Sequence, residues 1–106
     1  LFWSQLDKDL YYLPPKQVSH SAFCLPIFRR DKATRLVKKT LAKAGIEHRP
    51  IIGSNLLHKP IFAKYGGPED FPNAEWIHQR GCYAGLHLDV SPAMVRELTD
   101  LLNNAQ

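Results

Sequence analysis

The chain has 106 residues, a net charge of +4 and 23% charged residues, which suits one domain with a modest core. Its 44% hydrophobic content excludes disordered, collagenous and coiled-coil chains, and its apolar runs are too short to span a bilayer. Two cysteines, Cys24 and Cys82, neither in a CxxC, exclude a disulfide scaffold and point to free thiols in a reducing, cytoplasmic setting. No signal-peptide pattern opens the sequence. Because Leu1 comes first and Met94 is the only methionine, the chain is expected to be a piece or processed product of a longer polypeptide.

Residues 1–18 predict an N-terminal helical or linker segment, with a short amphipathic helix over about 2–12 that Pro14-Pro15 stops. Residues 19–106 then predict one small domain. Ser19 to Phe28 reads as a strand that Pro26 confines to an edge or a bulge. Asp31 offers a cap to a helix whose apolar positions are Ala33, Leu36, Val37, Thr40, Leu41 and Ala44, with Gly45 as its left-handed terminator. Ile46 to Ile52 reads as a second strand, interrupted at Pro50. Connection rules alone would make this strand–helix–strand order a parallel crossover.

Gly53 to Asp70 is irregular, with a single helical turn around Pro60–Tyr65. A stretch of that length in a small domain usually carries function. Pro72 opens a helix running to Arg80, closed by Gly81, and Cys82 to Leu88 forms the third strand. Ser91-Pro92 caps the last helix, whose expected buried stripe is Met94, Val95, Leu98, Leu101 and Leu102. The whole reads as an α+β domain, three short strands covered by two principal helices.

Charge is unevenly spread. Seven basic residues lie between Arg29 and Lys43 against Asp31 alone, leaving seven basic and nine acidic groups elsewhere. That basic helix face reads as a solvated surface; no aromatic platform accompanies it, so nucleic acid is not the expected partner. Binding that weakens steeply with salt would be the mark of the opposite case.

Five histidines (His20, His48, His58, His78 and His87) show neither HxH nor HxxxH spacing, so no metal site is expected from them. Cys24 and Cys82 are expected to pack as small apolar side chains. The glycines form no P-loop and no GxGxxG after a strand. No catalytic residue is assigned to this chain.

Two segments carry a resemblance. Arg49-Pro50-Ile51-Ile52-Gly53-Ser54-Asn55, followed by Lys59-Pro60-Ile61-Phe62, is the first. The second runs Phe71-Pro72-Asn73-Ala74-Glu75-Trp76-Ile77-His78-Gln79-Arg80-Gly81-Cys82-Tyr83-Ala84-Gly85-Leu86-His87. In this order and spacing they resemble the C-terminal small domain of the DegT/DnrJ/StrS family, fold-type-I pyridoxal-phosphate (PLP) enzymes acting on nucleotide-linked sugars. The branch of 4-keto-6-deoxyhexose 3-dehydratases is the nearest in pattern. Two positions depart from it: the usual Gly-Asn is Ser54-Asn55, and Leu86 stands where an Asn often follows the strand glycine.

The resemblance implies a small three-stranded, mostly antiparallel sheet flanked by helices, in place of the parallel crossover. It implies that PLP and its anchoring lysine or histidine belong to a missing large domain, so that this chain holds no cofactor itself. The chain would form one wall of a nucleotide-sugar cleft and part of a homo-oligomer surface. Arg49 would offer a fork to a phosphate, carboxylate or carbonyl, or else a surface salt bridge. Ser54, Asn55 and His58 complete the implied substrate-binding set, Asn55 either bonding a sugar hydroxyl or fixing its loop, and His58 either contacting the ligand or standing as a solvent-facing or intradomain bond donor. Trp76 and His78 would pack against the missing domain, and Trp3, Tyr11, Tyr12 and Trp76 would be exposed without it, favouring self-association. The alternative is a stand-alone binding or interaction module that kept the fold and lost the chemistry.

Overall fold

β1 (Cys24–Phe28), whose burial alternates, and the more deeply buried β3 (Gly81–Gly85) build the sheet on which everything else rests. In this computed structural model, which describes residues 1–15, 22–31 and 34–105, the strand order is β1-β3-β2, with β2 spanning His48–Pro50. β3 is antiparallel to both neighbours, pairing Leu25 with Ala84, Ile27 with Cys82 and Arg49 with Tyr83. β1 and β2 therefore run in the same direction on either side of β3. The crossover through α2 (Thr34–Lys43) exists, but it skips a strand position and β3 fills the gap. This is the split βαβ arrangement. The residues alone suggest adjacent parallel strands, whereas the antiparallel sheet implied by the resemblance is the one present.

Both outer strands carry a proline, Pro26 in β1 and Pro50 in β2, at the edge positions where a missing N–H costs the ladder least. The free edge of β1 is partly covered. Tyr12 N–H donates to the Phe28 carbonyl at 2.8 Å and Arg30 N–H to the Leu10 carbonyl at 2.9 Å.

Leu25, Ile27, Cys82 and Ala84 point to one face of the sheet and meet Val37 and Leu41 of α2 and Val95, Leu98 and Leu102 of α4 (Pro92–Asn103). Each Val, Leu and Ile side chain among them contributes about 1.5–3 kcal/mol when fully buried. The α4 stripe differs from expectation: Met94 is 52% exposed and Thr99 takes an inward position, its hydroxyl satisfied by the Arg96 carbonyl at 2.8 Å. Gly45 closes α2 at φ +73°, where its missing Cβ removes the left-handed penalty. Around α2, Arg35, Lys39 and Lys43 are exposed, so the basic face is solvated. Lys32 and Ala33, at its expected start, lie outside the described residues, as do Ser19, His20 and Ser21 of the expected first strand.

The N-terminal helix α1 is shorter than expected, Phe2–Gln5. Residues 1–15 are nonetheless part of the domain. Phe2 and Leu6 enter the core, and Asn103 clasps the segment, accepting from Asp7 N–H and donating to the Gln5 carbonyl, both at 2.8 Å.

Tyr11 is fully buried, and its hydroxyl donates to the Leu102 carbonyl at 2.7 Å. Beneath it the buried Arg29 guanidinium reaches Asp31, the Tyr11 hydroxyl and the Ala105 carbonyl at 3.0–3.2 Å. The expectation that Tyr11 would be exposed is thus corrected. A phenol carries enough apolar area for the core, and here its one polar atom finds a partner.

α3 (Pro72–Arg80) has the expected bounds and lies on the other face of the sheet. Trp76 packs between Phe28 and Tyr12, each ring centroid 5.9 Å away. Gly81 ends the helix at φ −89° and starts β3 directly, so no left-handed residue intervenes. Its requirement is spatial: a Cβ there would sit 2.5 Å from Ile51 and 2.7 Å from Phe28.

Candidate functional site

Between β2 and α3 the chain advances by three short 3-10 segments, Leu56–His58, Pro60–Tyr65 and Pro68–Asp70, the middle one two turns long. Prolines at the start of the second and third set φ for a turn. Gly67 N–H donates to the Asp70 carboxylate at 2.9 Å while Asp70 N–H returns to the Gly67 carbonyl at 3.1 Å. The segment is thus ordered by local polar bonds.

Asn55 is the pin of this segment. It is 4% exposed, and its amide donates to the Pro68 carbonyl at 3.1 Å and to Glu75 Oε2 at 2.8 Å. Its Oδ1 caps the first turn by accepting from Leu57 N–H at 3.1 Å. A side chain so placed holds three parts of the chain together, the loop-fixing role of the two envisaged for it. Ser54, at φ +47°, donates its hydroxyl to the Ile51 carbonyl at 2.6 Å and so shapes the turn leaving β2.

His58 Nε2 lies 2.7 and 3.0 Å from the two Glu75 oxygens. Its ring stacks on His78, with centroids 3.9 Å apart and planes 11° from parallel. His78 Nδ1 accepts the Asn55 backbone N–H at 3.4 Å. Gln79 adds a bond to Glu75 at 3.0 Å. Partial burial alone would push the Glu75 carboxyl up, but hydrogen bonds from His58, Asn55 and Gln79 prevail and hold it below the ordinary carboxylate value.

Ser54, Asn55 and His58 therefore share one loop, anchored through Asn55 and His58 to α3. Arg49 stands apart on β2. Its exposed side chain pairs with Glu47 at 2.6 Å, and it lines an open cavity of about 560 Å³ together with Ile46, Tyr83, His87, Met94 and Leu98. Ser54, Asn55 and His58 do not line that cavity. Glu75 is singled out by no motif or periodicity, and His78 is expected at an interface. In the fold both contact His58, and the signal for the pair is the Glu75-x-x-His78 spacing, which puts the two on one face of a helix.

The thiols are poor nucleophiles by environment. Burial pushes Cys82 up to about 11 and raises Cys24 as well. Among the described residues no lysine is buried; a Schiff-base lysine needs a desolvated pocket or a cationic neighbour. The lysines described here do not fit that anchoring role.

No protein-family model matches the chain, and no curated protein sequence matches it. Among solved structures the chain is similar to the E. coli GDP-4-keto-6-deoxy-D-mannose-3-dehydratase with bound hydrated PLP. The TM-score is 0.72 at 25% identity, over 95% of this chain and 28% of that one. That protein is a DegT/DnrJ/StrS-type PLP enzyme, so the resemblance carried by the two sequence segments is matched in three dimensions. This chain spans little more than a quarter of that enzyme's length. Its fold is that of a domain within a PLP enzyme, and no helix among the described residues is long and apolar enough to cross a membrane.

Proposed function

We propose that this chain is the C-terminal domain of a PLP-dependent nucleotide-sugar aminotransferase or 3-dehydratase of the cytoplasm. It forms one wall of the active-site cleft and part of a homo-oligomer surface, and it is catalytically inactive alone. The observation that carries the reading is the fold similarity across 95% of the chain to a part of a PLP-dependent dehydratase.

The surface supports the same reading. Ile52, Leu56, Ile61, Tyr65 and Phe71 are exposed large hydrophobic residues within one stretch of chain, residues that a covering domain would bury. Arg49 presents an exposed guanidinium to a phosphate or sugar oxygen, while His58 stands half-exposed on its loop with Nε2 on Glu75. Ser54 and Asn55 act one step back, by fixing the loop.

The test uses two forms. The 106-residue chain, mixed with PLP and nucleotide-linked 4-keto-6-deoxyhexoses, is expected to show neither turnover nor a Schiff-base absorption band. In the parent enzyme, Arg49→Ala should raise KM for the nucleotide sugar by about tenfold with a smaller change in kcat. Turnover by the short chain, or an unchanged KM in the parent, would overturn the proposal. Saturable nucleotide-sugar binding by the short chain alone would favour the stand-alone module instead.

A further inference from the structure

We propose that His58, Glu75 and His78 form a binding site for one divalent transition-metal ion of the zinc, cobalt or nickel kind. The three residues offer one ligand atom each, all within 4.8 Å of one another. A tetrahedral ion with bonds of about 2.0–2.2 Å needs ligand atoms roughly 3.3–3.5 Å apart, so the set closes on an ion by side-chain adjustment without moving an element. Two imidazoles and one carboxylate are a borderline donor set that suits these ions better than calcium or magnesium. Three protein ligands also leave a position for water or another oxygen ligand.

The support around the cluster is of the kind metal ligands use. Glu75 and His78 project from one face of α3 as a Glu-x-x-His pair, a spacing found in metal-carboxylate bundles. Asn55 and Gln79 both donate to the Glu75 carboxylate, at 2.8 and 3.0 Å, orienting it as outer partners do. His58, on a three-residue turn with a side chain 40% exposed, is the most exposed member. The stacked rings, 3.9 Å apart with planes 11° from parallel, keep their nitrogen lone pairs in two near-parallel planes, so the His58 ring must turn to bring its nitrogen onto the shared ion. The contact from Asn55 N–H to His78 Nδ1 is 3.4 Å long; an ion at that nitrogen displaces a weak bond. Sequence spacing hides the site because its members come together across 17 and 20 residues of chain. The proposal concerns these residues alone and does not rest on the reading of the chain as a cleft wall.

Chelator-stripped protein titrated with zinc and with cobalt near neutral pH, followed by calorimetry and by the cobalt visible spectrum, tests it. One ion per chain is expected, with cobalt bands typical of nitrogen and oxygen ligands. His58→Ala and Glu75→Gln should each weaken binding by at least about tenfold, with circular dichroism confirming that both fold. In the unaltered protein, zinc should shift the ring signals of His58 and His78 together. No saturable binding, equal binding by both variants, or zinc shifts confined to other histidines would each overturn the proposal.

Discussion

On one face of the sheet α2 and α4 bury Val37, Leu41, Val95, Leu98 and Leu102 against Leu25, Ile27, Cys82 and Ala84. On the other face α3 and the three 3-10 segments bury no residue of their own. Asn55, Glu75, His58 and His78 hold that second region by directed polar contacts. The first region is stabilised by area removed from water, a force that is large and indifferent to pH. The second combines the half-buried packing of Trp76 between Phe28 and Tyr12 with a few hydrogen bonds, each worth about 0.5–1.5 kcal/mol net. Such a region opens first, and binding loops are drawn from the low-stability end of a fold.

The largest effect belongs to the apolar side. Leu41→Ala removes a fully buried side chain and is expected to cost about 2–5 kcal/mol. Denaturant melting should report it as a global loss, with all probes moving together. Gly81→Ala strikes the junction of the two regions. With Ile51, Phe28 and the Ile77 carbonyl within 2.7 Å of the new Cβ, the expected cost is about 1–3 kcal/mol. The same measurement should show α3 loosening from the sheet.

Asn55→Ala is the complementary test. It strips partners from the Pro68 carbonyl and the Leu57 N–H and should cost about 1–3 kcal/mol. Hydrogen exchange should accelerate across residues 53–71 while the amides of α2 and α4 keep their protection. Uniform acceleration in both regions would erase the distinction.

Acid should separate the regions without any substitution. The Glu75 carboxyl is held below its ordinary value of 4.5, so its contribution is fully present above that pH. It is lost as pH falls through the lowered folded value. Exchange of the loop amides should therefore rise in acid before the core melts. The smallest effect concerns the thiols. Cys82, buried and pushed up to about 11, should react with a disulfide reagent only at the rate of unfolding, and Cys24 faster.

Much of the second region's backbone was written locally. Pro72 and Gly81 bracket α3 as expected, because a proline at the first helical position and a glycine where helix meets strand act over a few residues. The turn at Pro60–Tyr65 was legible for the same reason. Its side-chain network was not. Asn55, His58 and Glu75 meet across 17 and 20 residues, and neither periodicity nor short spacing encodes that approach.

The core shows the same division. Tyr11 is expected to be exposed because the resemblance implies a covering domain that this chain lacks. Its burial depends on the Leu102 carbonyl and the Arg29 guanidinium arriving from 91 and 18 residues away. The α+β class, the helix limits at Pro72 and Pro92 and the edge-strand prolines were legible in the residues, since φ restrictions, caps and apolar period are local. The order and spacing of two segments carried the family resemblance. The entry of β3 between β1 and β2, the burial of Tyr11 and Arg29, and the histidine–glutamate–histidine cluster that ties the long loop to α3 came from long-range packing. Those outcomes depend on which surfaces meet once the chain has collapsed, and contacts between distant residues are fixed only by the whole fold.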